Sequence, residues 1–218
     1  MKKKSVLISL LVAIALFFAF GMYAYQKRVA SSTEQAAGQN ANNLIRFYSP
    51  TLGGNEATSV LVEFFDPACE ACRAFYPVVK KLLNENNGRL KLVLRYAPFH
   101  KDSDKVVKIL EASKRQGLYW QSLEAALESQ PVWAAHGSPN VELIWPFLEK
   151  IGLDVVRAKN DMQSKDIQDI VNTEMQDVNT LQIAQTPTFF LNGRLISLKS
   201  IEDFEATITN QFKENAEK

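Results

Sequence analysis

The chain has 218 residues, 46% of them apolar and 22% charged, with 25 basic against 24 acidic side chains and only two cysteines, Cys69 and Cys72. That composition excludes a disordered chain and suits one compact domain of ordinary size with appendages. A net charge of +1 excludes the broad basic surface needed to neutralise nucleic-acid phosphates, so no nucleic-acid partner is expected.

Five basic residues, Lys2, Lys3, Lys4, Lys27 and Arg28, precede the first acid and flank the apolar run Val6 to Tyr25, "VLISLLVAIALFFAFGMYAY". At about 1.5 Å rise per residue this run just crosses a hydrocarbon core of about 30 Å. Its length, and Tyr23 and Tyr25 beside Lys27 and Arg28 as interfacial anchors, favour a retained single-pass anchor. Ala19 and Gly21 around Phe20 keep a cleavable signal peptide open. Residues 1–28 are therefore read as membrane anchor or signal segment, with the rest exported. Both readings send the remainder out of the cytoplasm, held at the membrane if the segment is retained and soluble if it is cleaved. Residues 29–43 hold almost no large apolar side chain and read as a flexible tether.

Residues 44–215 read as the folded domain. "LIRFYSPTLG" suggests a short edge strand ended by Pro50 and a Gly-Gly turn. "SVLVEFF", Ser59 to Phe65, is too short for a helix and apolar on both faces, as a strand inside a sheet would be. A helix is expected from about Cys69 to Asn86, with Phe75, Val78, Val79, Leu82 and Leu83 at helical spacing, and then a second buried strand, "LKLVLRYAP". Strand, helix, strand at this spacing is the parallel crossover unit. From about 102 to 183 the chain reads as successive helices broken at Gly117, Gln130-Pro131, Gly137 to Pro139 and Gly152, with Trp120, Trp133 and Trp145 as their core. "TPTFFLNGRLISL" then predicts a strand, an Asn192-Gly193 turn and a second strand, before a helix whose Ile201, Phe204, Ile208 and Phe212 share a face.

Cys69 and Cys72 open the first of those helices. A structural disulfide between them would close so short a loop that little unfolded-state entropy is removed. A zinc site needs about four ligands, and His100 and His136 are far from H-x₃₋₅-H spacing. Residue 73 is arginine, which rules out the covalent haem pattern; a two-coordinate Cu(I) site stays chemically open. A redox role explains the placement. The helix N-terminus favours a thiolate at Cys69, and Cys72 lies one turn deeper as the resolving thiol. Arg73 should add to that stabilisation, while Asp66 and Glu70 should oppose it, predicting a lowered but not extreme Cys69 pKa. Glu63, in the middle of "LVEFF", either faces solvent or is a buried acid able to exchange the Cys72 proton. His100 follows the second buried strand and reads as an exposed loop histidine that strand-end placement can bring toward the site. His136 reads as surface.

Taken together, "VEFFDPACEAC", the helix, the helical insert and "TPTFFLNGR" before a hairpin and final helix resemble the DsbA-like branch of the thioredoxin superfamily, over about Leu44 to Phe212. The resemblance implies an α/β fold, thioredoxin-like with a helical insertion at about 102–183, preceded by an N-terminal transmembrane helix. It implies a protein thiol–disulfide oxidoreductase with no cofactor beyond a redox-active Cys69–Cys72 disulfide and no metal. By it, Cys69 is the nucleophile, Cys72 the resolving cysteine and Glu63 the buried acid. Pro187 is the cis-proline against the pair, and Thr186 offers backbone hydrogen bonds to an extended client. The implied partners are exported proteins with cysteines, and either a DsbB-like membrane reoxidant or a membrane electron donor. One departure matters: Glu70-Ala71 stands between the cysteines where the best-known oxidase has Pro-His, which predicts a less oxidising pair. The alternatives are a periplasmic reductase or isomerase, and an anchored client- or Cu(I)-binding module.

Overall fold

A computed structural model describes residues 2–54, 56–86, 88–135 and 139–216, and its centre is the apolar run at Ser59. That run, β2 (Ser59–Phe65), lies between β3 (Leu90–Tyr96), parallel to it, and β4 (Thr188–Leu191), antiparallel to it. The edges are β1 (Thr51–Gly53) against β3 and β5 (Arg194–Leu195) against β4, for a sheet order β1-β3-β2-β4-β5. A central strand is covered on both faces, so nearly every β2 side chain is buried although only alternate ones meet. Leu61 and Phe65 point to one face, and Val62 and Phe64 to the other.

The first face is covered by α2 (Glu70–Glu85) and α9 (Ile201–Ala216). Helix α2 buries Cys72, Tyr76, Val79 and Leu83, a stripe at spacings of three and four, and α9 buries Phe204, Ile208 and Phe212. Phe75 packs its ring against both Phe189 and Phe204, with centroids 5.6 and 5.3 Å away. Between β3 and β4 runs the insert: α3 (Ser103–Lys114), α4 (Tyr119–Glu128), α5 (Gln130–Trp133), α6 (Trp145–Lys150), α7 (Val155–Asp161) and α8 (Lys165–Thr180). It has its own core around Val106, Ile109, Trp133, Ile144, Trp145 and Leu148; Trp120 packs instead at the margin of the α2 face. Gly117 and Gly152 end helices at positive φ, 74° and 88°. Asn192 and Gly193, at φ 50° and 81°, make the hairpin turn between β4 and β5. Gln130-Pro131 starts α5 rather than merely ending α4, because proline suits the first turn of a helix. Of the expected break at 137–139 only Pro139 is described, and His136 lies outside the described residues.

Two expectations near the N-terminus are corrected. The expected edge strand shrinks to Thr51–Gly53; Arg46 is drawn instead to Asp177 by bonds of 2.7 and 2.6 Å, and Pro50, lacking an N–H, only accepts a bond from Leu94 N at 2.9 Å. The flexible tether at 29–43 is not one. Helix α1 runs unbroken from Lys2 to Gln39, and Thr33, Ala36 and Ala37 on one of its faces are buried against the domain. Thr33 Oγ1 donates to the Gln182 carbonyl at 2.6 Å, and Ala37 packs with Val62, Phe64 and Phe190 on the second sheet face. Small side chains, poor in apolar area, suit this contact because they let a helix lie close to a sheet, and the apolar helix upstream already supplies the costly nucleus.

Candidate active site

The turn from β2 into α2 positions the cysteines. Cys69 is the N-cap of α2, at φ −76° and ψ 120°, with its N–H on the Asp66 carbonyl at 3.0 Å and its own carbonyl receiving Arg73 N at 3.2 Å. Both sulfurs are free thiols. They are unequal. Hydrogen bonding from the Cys72 thiol, then from the Thr186 side chain and from the Cys72 and Ala71 amides, holds the Cys69 pKa down at about 6, against the opposing effect of burial. Burial pushes the Cys72 thiol well above its usual value, and the charges of Glu63 and Cys69 add to that. The expected aid from Arg73 and opposition from Asp66 and Glu70 are not among the principal influences on Cys69; local hydrogen bonds at the helix start are.

Asp66 is occupied elsewhere. Its Oδ1 accepts Ala68 N at 2.9 Å and the Ser103 hydroxyl, while its Oδ2 accepts Phe99 N at 2.8 Å, His100 N at 2.9 Å and the His100 Nδ1 at 2.7 Å. This shell ties the active-site turn to the β3–α3 connection. His100 is a half-exposed loop residue as read, yet it belongs to the site. Its pKa is raised chiefly by the hydrogen bond to Asp66, and also by the charges of Asp66, Cys69 and Glu70.

Glu63 is buried, at 1% exposure. Alternation along β2 puts it between Leu61 and Phe65 on the α2 face, under the cysteines. Neither carboxyl oxygen has a hydrogen-bond partner among the described residues, and burial, followed by the charge of Cys69, raises its pKa to about 8.

The second wall comes from the far end of the chain. The Thr186-Pro187 peptide is cis, and the Thr186 carbonyl lies 3.3 Å from Cys69 Sγ. Thus the fold brings Cys69, Cys72, Glu63, Thr186 and Pro187, drawn from strand β2, the start of helix α2 and the loop before β4, into one place. The insert adds Gln130, which sequence reasoning missed. Its Nε2 donates to the carbonyls of Pro67 at 2.8 Å and Cys69 at 3.1 Å. Nothing in "LESQPVW" signals this contact, because it arises only when α5 packs onto the turn.

A family model described as "Thioredoxin" matches residues 47–210. The chain is 26% identical over 193 residues to the "Probable disulfide bond formation protein D" of Bacillus cereus, covering 85% of this chain and 89% of that protein. It is 28% identical over 142 residues to the Na(+)/H(+) antiporter NhaA of Herminiimonas arsenicoxydans, covering 65% of this chain but only 22% of the antiporter. Among solved structures it resembles the thiol-disulfide exchange protein α-DsbA2 of Wolbachia pipientis, with a TM-score of 0.65, 20% identity, and coverage of 84% of this chain and 97% of that one. A Cys pair on the β2–α2 turn, a helical insert between β3 and β4, and a cis Thr-Pro against the nucleophile agree with that match over three quarters of the sequence: the chain belongs to the thioredoxin family, in the DsbA-like arrangement.

Proposed function

We propose that the protein is a thiol–disulfide oxidoreductase, exported and held to the membrane by Val6 to Tyr25, that forms or exchanges disulfides in cysteine-containing exported proteins. The observation that carries this reading is the inequality of the two thiols, one at about 6 and the other well above the usual cysteine value. In the oxidising direction a client thiolate attacks Cys69 Sγ of the Cys69–Cys72 disulfide, forming a mixed disulfide and expelling Cys72. Glu63, protonated below about pH 8, supplies the proton that Cys72 takes up. A second client thiolate then attacks the client sulfur of the mixed disulfide and expels Cys69, a good leaving group because its thiolate is stabilised. The client loses two electrons and gains a disulfide; the Cys pair gains the two electrons. Renewed turnover requires a membrane partner to take them.

The role of Thr186 and Pro187 in this reading is to present backbone acceptors and a smooth surface to an extended client segment. Redox equilibration of the Cys69–Cys72 pair against glutathione, read by thiol alkylation, tests the assignment. A potential between about −120 and −180 mV supports a disulfide donor or shuffler, whereas one near about −270 mV makes the protein a reductase and sinks the donor reading. In the same preparation Cys69→Ser abolishes exchange and Cys72→Ser accumulates mixed disulfides; absence of trapped species in the second variant would falsify the assignment of Cys69 as nucleophile.

A further inference from the structure

Helix α1 connects the apolar run to the redox site without a joint. From Tyr25, at the end of that run, to Val29, where the helix first becomes half-buried on the domain, there are four residues, or about 6 Å of helix. The docked face continues through Thr33, Ala36 and Ala37, and the hydrogen bond from Thr33 to Gln182 fixes it lengthwise. Between this helix and the loops around β4 and β5 lies a cleft of about 300 Å³. One wall is Tyr25, Gln26 and Val29, and the other includes Gln185, Pro187 and Ile196. Pro187 follows the residue whose carbonyl contacts Cys69 Sγ. The interfacial turn of the anchor and the loop beside the nucleophile therefore face each other across one cleft.

Resting on the reading of Val6 to Tyr25 as a retained anchor, we propose that α1 is a rigid strut that holds the redox site at the lipid headgroup level. A flexible tether of fifteen or so residues would let the domain range tens of ångströms from the bilayer. A continuous docked helix does not. The exposed face of Ser31, Glu34, Gln35 and Gly38 leaves the other side of the strut to water.

The test uses the full chain in phospholipid nanodiscs containing a few per cent nickel-chelating lipid. A nitroxide is placed at the exposed mouth of the site by Glu70→Cys in a Cys69→Ser, Cys72→Ser background. Strong nickel-induced relaxation of the label is expected, falling severalfold when six Gly-Ser residues are inserted between Arg28 and Val29. A seven-residue alanine-rich helical insertion at the same point is expected to weaken it to a defined intermediate level, which guards against misfolding of the flexible variant. Weak relaxation in the parent, or equal relaxation in all three, overturns the strut. Oxidation of a reduced dithiol peptide by the oxidised wild-type full chain in detergent reads the proposed activity separately, so loss of one reading does not masquerade as loss of the other.

Discussion

Thr186 favours the thiolate of Cys69 and Glu63 disfavours that of Cys72, and their replacement separates the two influences. Thr186→Val removes a hydrogen bond that favours the Cys69 thiolate, so the thiolate absorbance of the reduced protein, titrating near pH 6, is expected to move up by about one unit. An unmoved titration would assign the stabilisation to the Cys72 thiol and the amides at the helix start. Glu63→Gln leaves shape but removes the buried acid. The unfolded chain loses the Glu63 proton near 4.5 and the folded protein holds it to about 8, so folding takes up a proton between those values and wild-type stability falls as pH rises through that window. Relative to wild type, the Gln variant is expected to gain on the order of 3 kcal/mol between pH 4.5 and 7, measured by urea unfolding, while disulfide exchange slows because Cys72 loses its proton source. Equal stability profiles for the two proteins would mean that Glu63 titrates normally.

At the scale of elements, the docking of α1 is the contact most exposed to a single change. Ala37 is 1% exposed against Val62, Phe64 and Phe190. Ala37→Glu places an unpaired charge there, at a cost of several kcal/mol if buried, so the helix end is expected to lift off rather than the sheet to unfold. Trypsin cleavage at Lys27, Arg28 and Arg46 should then accelerate tenfold or more with the remaining domain intact; unchanged cleavage would show that α1 does not depend on this face. The sheet and α2 were legible beforehand, because period-two and period-3.6 apolar patterns report local burial directly. The docked helix was not, since Thr33, Ala36 and Ala37 carry too little apolar area to stand out from a solvated segment.

Across the whole molecule, one buried charge cluster joins parts far apart in sequence. Arg95, fully buried on β3, gives Nε to both Glu174 oxygens at 3.0 Å, Nη2 to Asp177 Oδ2 at 2.6 Å and Nη1 to the Asn43 carbonyl. Arg46 pairs with the same Asp177, and Glu174 also accepts Tyr96 N at 2.8 Å. The sheet, α8 and the segment after α1 are thereby locked by charge. Arg95→Met leaves two buried carboxylates short of a partner and is expected to destabilise the protein by about 3–5 kcal/mol, read as a lowered urea midpoint with unchanged slope. A midpoint within error of wild type would mean that water or the neighbouring cation replaces Arg95 without loss.

Local pattern determined the central strands, the redox helix, the helical insert, the hairpin at Asn192-Gly193 and the membrane-length apolar run, because each depends on neighbours within a few positions. The motif at Cys69 and Cys72 also announced its chemistry, since the chief hydrogen bond that favours the Cys69 thiolate comes from Cys72 three positions along the same segment. Tertiary structure alone decided the rest. Glu63 became a buried acid only when alternation along β2 met the cover of α2, and Asp66 was withdrawn from Cys69 only when the β3–α3 connection supplied its donors. Gln130 reached the active-site turn, and α1 became part of the domain, through contacts between segments tens of residues apart. Such contacts leave no period in the sequence, because what selects them is the fit of two surfaces rather than the repeat of one.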